Sequence, residues 1–482
     1  MTSRPRDAWR GATIRASNTR RPTSMWQHGR MYTSRLERPT RRFLAVVGTL
    51  ATLLVACGDA RRANLLLVVL DTCRVDRMSL YGYEKPTTPN LERLAAEGVV
   101  FDQAVTHVPQ TLPAVATLLT STLPSEHGVR VNGLFRLSDA AVTLAEVLRE
   151  AGYDTAAFLS GFPLDSRFGT SQGFDSYDAQ FLDSILTRTR RKDFKFPGAS
   201  HPDFEQRADE TTDKALAWFA ARADREARPF FLLVHYFDPH YPYHAPPQYL
   251  EDLGPYDAEI AFTDAEIGRL IGRLRGVGLL DETLVVVVGD HGEILGSRPR
   301  HAGYVKDAVL RVPLLLRATT ALPQGMRIPA QVALVDVAPT VLDVLGVPAP
   351  REFRGRSLLP LVRDEGAVAR ATVPFETLYW KLEKERGLAR HGVRTTSWKY
   401  VLDLREKDGD VLGSEALFDL ARDPGEERNL AADAAGLAAH RELLESFRRE
   451  VAEQTARAGS AERLPITPEV EDRLRSLGYL GS

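Results

Sequence analysis

Residues 65–70 read LLLVVL, an apolar run without alternation that stops abruptly at Asp71. A continuous run of this kind predicts a strand covered on both faces. Similar runs follow at residues 153–159, at 230–235 (FFLLVH) and at 284–288 (LVVVV), the last ending in Gly289-Asp290-His291. Between them lie segments of helical period: 91–98 (LERLAAEG, with a glycine stop), 142–152, 208–222 and 264–275. Strands alternating with helices of this length predict an α/β fold built on a doubly wound, mostly parallel sheet flanked by helices. After a strand at 313–317 and a helix at 335–345, the chain passes Pro348, Pro350 and Pro360. Strand-like pieces at 392–402 and 416–420 and a helix at 435–454 predict a smaller C-terminal α+β domain. The polar, basic stretch 178–206 reads as a loop.

In doubly wound sheets, ligands collect beyond the carboxyl ends of the strands. Three of these predicted ends carry residues of ligand or acid–base type: Asp71, the segment HYFDPHYPYH from His235 to His244, and Asp290-His291. Asp71, Asp290 and His291 form an O,O,N donor set suited to a divalent metal such as Ca, Mn, Zn or Mg. Any one of these residues alone would serve equally well as a turn former or cap, and it is the coincidence at two strand ends that points to a metal. In the histidine-rich segment, His240 could protonate a leaving oxygen or hold an anion, with Asp238 and His235 as further substrate contacts. The alternative is that its histidines only pack against the interleaved tyrosines.

The stretch VPQTLPAVATLLTSTLPSEHG, residues 108–128, opens a short apolar helix, with Pro113 in its first turn. Thr111 is therefore either the helix N-cap or a nucleophile. A helix N-terminus offers N–H groups and partial positive charge to an anionic ester, and a metal within reach would lower the hydroxyl pKa. The two roles are compatible.

Composition narrows the partners. Of 482 residues, 44% are hydrophobic and 26% charged, ordinary for a globular protein. Residues 1–56 contain 11 Arg against Asp7 and Glu37, a net +9, so the formal −2 of the whole chain leaves −2 − 9 = −11 for the remainder. An acidic remainder argues against nucleic acid as the partner. Arg41-Arg42 precede FLAVVGTLATLLVA, too short to span a bilayer and suited to a signal-peptide core. The run ends in Leu54-Val55-Ala56-Cys57, which resembles the lipobox of bacterial lipoproteins. That resemblance implies a diacylated Cys57, export, and attachment to the membrane of the cell envelope through a lipid anchor. An uncleaved signal anchor is the alternative, and both place the rest of the chain outside the cytoplasm. Cys73 is then the one remaining thiol, so no intramolecular disulfide forms.

Taken in order, the motifs resemble the sulfatase family of the alkaline phosphatase superfamily. NLLLVVLDTCRVDRMSLYGYEKPTTPNLERLAAEGVVF, from Asn64, is similar to the family's opening strand, metal aspartate and TPN-led helix. Gly289 to Glu293 (GDHGE) resembles the second metal motif, and LVDVAPTVLDVLGVP and ALFDLARDPGEERNL resemble the late helix and the C-terminal signature. The resemblance implies a catalytic domain over residues 62–365, a smaller C-terminal domain and tail over 366–482, and a leader over 1–57. It also implies a metal-dependent hydrolase of anionic sulfate, phosphate or phosphonate esters of small, glycan or lipid alcohols. Asp71, Asp290 and His291 match metal ligands, joined by Thr111, which matches the nucleophile. His240 and His301 match contacts to the ester or its leaving oxygen, and Asn132 is a further substrate contact. One metal site is implied, and a second, held by Asp238, His240 and His301, would fit a phosphodiesterase-like centre. Thr111, Pro113 and Val115 stand where sulfatases carry the C/S-x-P-x-R motif that becomes formylglycine, and Thr72 stands where many place another metal aspartate. A threonine cannot become that aldehyde, which favours phosphorus esters. A phosphoryl-group transferase and a non-catalytic binding homologue are the alternatives.

Overall fold

The computed structural model describes residues 62–179, 205–222, 228–296, 300–381, 386–407, 410–432 and isolated positions between 445 and 470. The leader with Cys57, most of the 178–206 loop and most of the helix predicted at 435–454 lie outside the described residues.

The main sheet has nine strands: β1 (Asn64–Leu70), β2 (Val99–Val105), β3 (Asp154–Leu159), β4 (Ser176–Asp178), β5 (Phe230–Tyr236), β6 (Thr283–Gly289), β7 (Arg311–Val312), β8 (Leu314–Arg317) and β9 (Met326–Ala333). Their order is β9-β2-β8-β6-β1-β5-β3-β4, with β7 paired to β2. Pairing is parallel except where β8 meets β2 and β6 and where β7 meets β2. The unbroken apolar run of β1 is explained by its central place. Leu65, Leu67 and Val69 enter the core on one face, and Leu66, Val68 and Leu70 enter a separate core on the other.

The first core is shared with Leu112, Val115, Ala116 and Leu119 of the helix Thr111–Thr120, and the second with Ile260, Ile267, Leu270 and Leu274 of the helix Pro255–Gly276. The latter helix begins well before the predicted start at residue 264. Its first half buries Asp257, Glu259 and Asp264, which break the apolar period although they face inward. Asp264 accepts hydrogen bonds from the backbone N–H groups of Asn90 and Leu91, at 2.8 and 2.9 Å, and so caps the helix Pro89–Ala95 from outside.

A second sheet is antiparallel, with β10 (Val373–Lys381), β11 (Arg386–Arg394), β12 (Trp398–Lys407) and β13 (Asp410–Asp419) in sequential order. The single strand-like piece expected at 392–402 is thus the end of one strand and the start of the next. The turn between them is tied by the Thr395 N–H to the Trp398 carbonyl at 2.7 Å. This sheet is latched to the main one by charge. Asp307 accepts from Arg394 Nη2 and Lys399 Nζ, both at 2.7 Å, and Lys399 also donates to Glu426 at 2.9 Å.

Candidate functional site

The register of the central strands assembles the site. Leu70 pairs with Gly289 on one side and with Tyr236 on the other, so the residues that follow leave the sheet together. The Asp71 N–H donates to the Tyr236 carbonyl at 2.9 Å and the Asp290 N–H to the Leu70 carbonyl at 3.1 Å. Gly292 allows the next turn to close, because a Cβ there would collide with the Ala308 carbonyl, and its N–H bonds the Val309 carbonyl at 2.8 Å. Ligand atoms of Asp71, Asp290 and His291 consequently lie within 4.8 Å of one another, all fully buried.

Thr111 joins them. Gln110, in extended conformation, occupies the N-cap position of the helix Thr111–Thr120, and its side chain does not cap the helix. Thr111 is therefore the first helical residue, not the cap. Its hydroxyl instead donates to Asp71 Oδ2 at 3.0 Å and lies 3.4 Å from His291 Nε2. Asn132 stands beside it with Oδ1 accepting from the Leu112 N–H at 2.8 Å, while its Nδ2 is buried with no hydrogen-bond partner.

The electrostatics of this group are those of a cation site. Burial raises the Asp71 and Asp290 carboxyls well above the usual range, and the charge of Asp71 adds to the effect on Asp290. Asp71 Oδ1 and Asp290 Oδ2 are buried and accept no hydrogen bond. Two enclosed carboxylates with unused oxygens are costly without a counter-charge. His291 Nδ1 bonds the Gly292 carbonyl at 3.0 Å, which puts the ring lone pair on Nε2, facing the carboxylates. The donor set therefore fits a divalent metal.

A second cluster adjoins the first. His240, Glu293 and His301 also bring ligand atoms within 4.8 Å, and the His291 and His301 rings lie 4.5 Å apart. Phe237 stacks on His240 at 4.3 Å, and Tyr243 donates to Glu293 Oε2 at 2.7 Å. Burial pushes His240 and His301 down to about 3 and Glu293 up to about 7.

The other residues singled out from sequence are placed as follows. His235 is buried with Nε2 3.5 Å from Asp71 Oδ2, a backing position behind the carboxylate. Asp238 lies outside the second cluster: its Oδ1 accepts from the Ala208 N–H at 2.9 Å, and it lines a small cavity with Glu205, Glu259 and His244. Glu293, not singled out from sequence, is the carboxylate grouped with His240 and His301. Its signal was present, two residues beyond His291 in the same motif. Thr72 has a left-handed backbone, φ 49°, and reaches the site through its N–H, which donates to Asp290 Oδ1 at 3.2 Å. Gln110 ties the segment leading into Thr111 to the second sheet, donating from Nε2 to the Leu378 carbonyl at 2.9 Å.

Residues 63–347 match the Sulfatase family, and residues 302–455 match the C-terminal region of N-sulphoglucosamine sulphohydrolase. The chain is 27% identical over 445 residues to arylsulfatase A of Homo sapiens, covering 80% of this chain and 87% of that one. It is 26% identical over 418 residues to an ulvan-active sulfatase of Formosa agariphila, covering 77% and 78%. In fold it is similar to the phosphonate monoester hydrolase of Agrobacterium radiobacter, with a TM-score of 0.67, 24% identity and coverage of 85% and 99%. With a match to the family over more than half its length, and the family's α/β architecture, this chain belongs to the sulfatase family of hydrolases.

Proposed function

We propose that this protein is a metal-dependent hydrolase of anionic esters in which Thr111 is the nucleophile, and that it prefers phosphorus over sulfur. The observation that carries the reading is the Thr111 hydroxyl, 3.0 Å from Asp71 Oδ2, at a helix N-terminus and against a buried O,O,N donor set. Asp71, Asp290 and His291 would hold the metal with Thr111. A divalent cation bound there supplies the positive charge that lowers the hydroxyl pKa and neutralises the ester oxygens.

The chain's own residues supply the rest. Asp71 Oδ2 holds the Thr111 proton and orients Oγ1. Asn132, with Nδ2 buried beside the helix start, is placed to donate to an ester oxygen. His240 and His301 face the side from which the alcohol departs, and Glu293, beside His301 Nδ1 at 3.5 Å, orients that ring. His240, Glu293 and His301 are also the candidate ligands of a second metal. His235 and Asp238 act on the site from behind, through Asp71 and through the loop that carries His240.

Attack by Oγ1 forms an ester on Thr111 as the bond to the alcohol oxygen breaks, and water must then release the acid. A formylglycine hydrate releases sulfate by collapsing to the aldehyde, a route closed to threonine. Release from Thr111 needs a second displacement at the central atom, which phosphorus accepts more readily than sulfur. Support for ester hydrolysis in general comes from the sulfatase relatives. Support for phosphorus rests on this chemistry.

Matched sulfate, phosphate, phosphodiester and phosphonate esters, assayed with Mn, Zn, Mg and Ca in turn and with metal analysis of the same sample, test the reading. Turnover of a phosphorus ester that Thr111→Ala abolishes is the expected result. Full activity in Thr111→Ala sinks the nucleophile, and faster turnover of sulfate sinks the preference. We also propose that residues 1–57 export the chain and that Cys57 anchors it, leaving 62–365 and 366–482 as the working domains. Cys57→Ser should then release the protein from membranes.

A further inference from the structure

Thr72 follows Asp71 with φ 49°, a left-handed backbone that a β-branched residue adopts only under constraint. The constraint is a phenol. Tyr256 Oη donates to the Thr72 carbonyl at 2.6 Å and accepts from the Arg74 N–H at 2.9 Å, so one oxygen grips the backbone on both sides of Cys73. Tyr256 is buried in the first turn of the helix Pro255–Gly276, whose Ile260, Ile267, Leu270 and Leu274 anchor it in the core shared with β1.

The turn held in this way aims the Thr72 N–H at Asp290. Asp290 Oδ1 accepts from the Thr72 N–H at 3.2 Å and from the His291 N–H at 2.6 Å. Its Oδ2 is buried with no hydrogen-bond partner and lies 3.5 Å from His291 Nε2. Two N–H groups on one oxygen fix the rotation of the carboxylate, and the oxygen left over faces the donor set. Arg74 extends the tie, donating from Nη1 to the Glu293 carbonyl at 3.0 Å. Tyr243, edge-on to Tyr256 at 5.5 Å, donates to the Glu293 carboxylate at 2.7 Å.

We propose that Tyr256 is a positioning residue of the metal centre: its hydroxyl holds Thr72 in the left-handed turn whose N–H orients Asp290, so that Oδ2 is the oxygen presented to a divalent cation. This rests on the metal reading above and adds to it a residue that touches neither metal nor ester.

Equilibrium dialysis with the tightest binder among Mn, Zn, Mg and Ca tests it. Tyr256→Phe keeps the ring and removes the clamp, and should raise the metal Kd about 10-fold, the lower end of what losing an orienting partner costs a metal site. Glycine enters the left-handed region without strain, so in a Thr72→Gly background the clamp is no longer needed. There, Tyr256→Phe should leave the Kd at the value of Thr72→Gly alone. Thr143→Ala, which removes a helix cap elsewhere, should leave the Kd as in wild type and so controls for lost stability. A Kd unchanged by Tyr256→Phe overturns the proposal, as does an equal rise in both backgrounds or a matching rise in Thr143→Ala. Amide hydrogen exchange of the metal-free protein, read by mass spectrometry on segments 64–76 and 286–294, follows the clamp without an ion. Tyr256→Phe should speed exchange in both segments, and unchanged exchange in 286–294 also overturns the proposal. If wild type binds none of the four ions, the metal reading fails by itself, and the exchange result still decides whether Tyr256 holds Thr72 against Asp290.

Discussion

Asp307 holds two cations of the second sheet against the main domain, and its removal should cost a measurable part of the protein's stability. Its carboxylate accepts from Arg394 Nε at 3.0 Å and Nη2 at 2.7 Å and from Lys399 Nζ at 2.7 Å. Arg394 and Lys399 are almost completely enclosed, and Glu426 is the other anion in the group. Asp307→Asn leaves the buried pair of cations with one carboxylate. Breaking a fully buried pair costs about 3–5 kcal/mol and an exposed one about 1 or less. The Asp307 side chain is 20% exposed, so a loss of about 2–4 kcal/mol is expected, set against a total of about 5–15 for a domain. The two cations hold the Asp307 carboxyl well below the usual carboxylate range, overcoming the opposing effect of burial. A depressed folded-state pKa stabilises above the unfolded value, about 3.9, and that stabilisation fades as pH falls through the folded value. Urea denaturation of wild type and Asp307→Asn between pH 7 and pH 3, followed by circular dichroism, measures both effects. A difference under about 0.5 kcal/mol at pH 7, within the usual range of surface substitutions, would refute the latch. So would a difference that does not shrink below pH 4.

Other consequences are more local. Chelation of divalent ions should abolish turnover and lower Tm, because the enclosed carboxylates of Asp71 and Asp290 lose their counter-charge, and re-addition of metal should reverse both. Asp290→Asn should weaken metal binding by an order of magnitude or more, read by equilibrium dialysis with Mn. Glu293→Gln should leave the fold intact and lower kcat, since the amide still accepts from Tyr243 but loses its charge beside His301. Thr143 accepts from the Glu146 N–H at 3.1 Å in a capping box at the start of the helix Leu144–Glu150, so Thr143→Ala should cost about 1 kcal/mol without changing kcat.

The central sheet was legible because burial on both faces leaves a plain record: uninterrupted apolar runs at β1, β5 and β6, each ending in polar residues. Asp71, Asp290 and His291 could be read as a set for the same reason, since parallel strands that stop together deliver their next residues together. Less legible was whatever depends on side chains reaching across the fold. The early turns of the helix Pro255–Gly276 looked polar because Asp257 and Glu259 face inward, and the sequence does not record that the Ala208 N–H takes one oxygen of Asp238. Glu293 was in plain view beside His291, but nothing local distinguishes it from a solvated glutamate. Its environment comes from Tyr243, His240 and His301, contributed by two loops separated by about one helix and one strand. For Thr111 the cap reading gives way, because Gln110 occupies the cap position, a choice that one residue of backbone conformation decides and the sequence does not record.

The central claim is that Thr111 carries the ester group between the two displacements. Rapid acid quench of the metal-loaded protein during turnover of an aryl phosphate or phosphonate, followed by mass spectrometry of the peptide spanning residues 108–128, examines that step directly. The account predicts the mass of the transferred phosphoryl or phosphonyl group on Thr111, appearing and decaying at rates consistent with kcat and absent from Thr111→Ala. An unmodified Thr111 during steady turnover that persists in Thr111→Ala, or the group found on another residue, would contradict it.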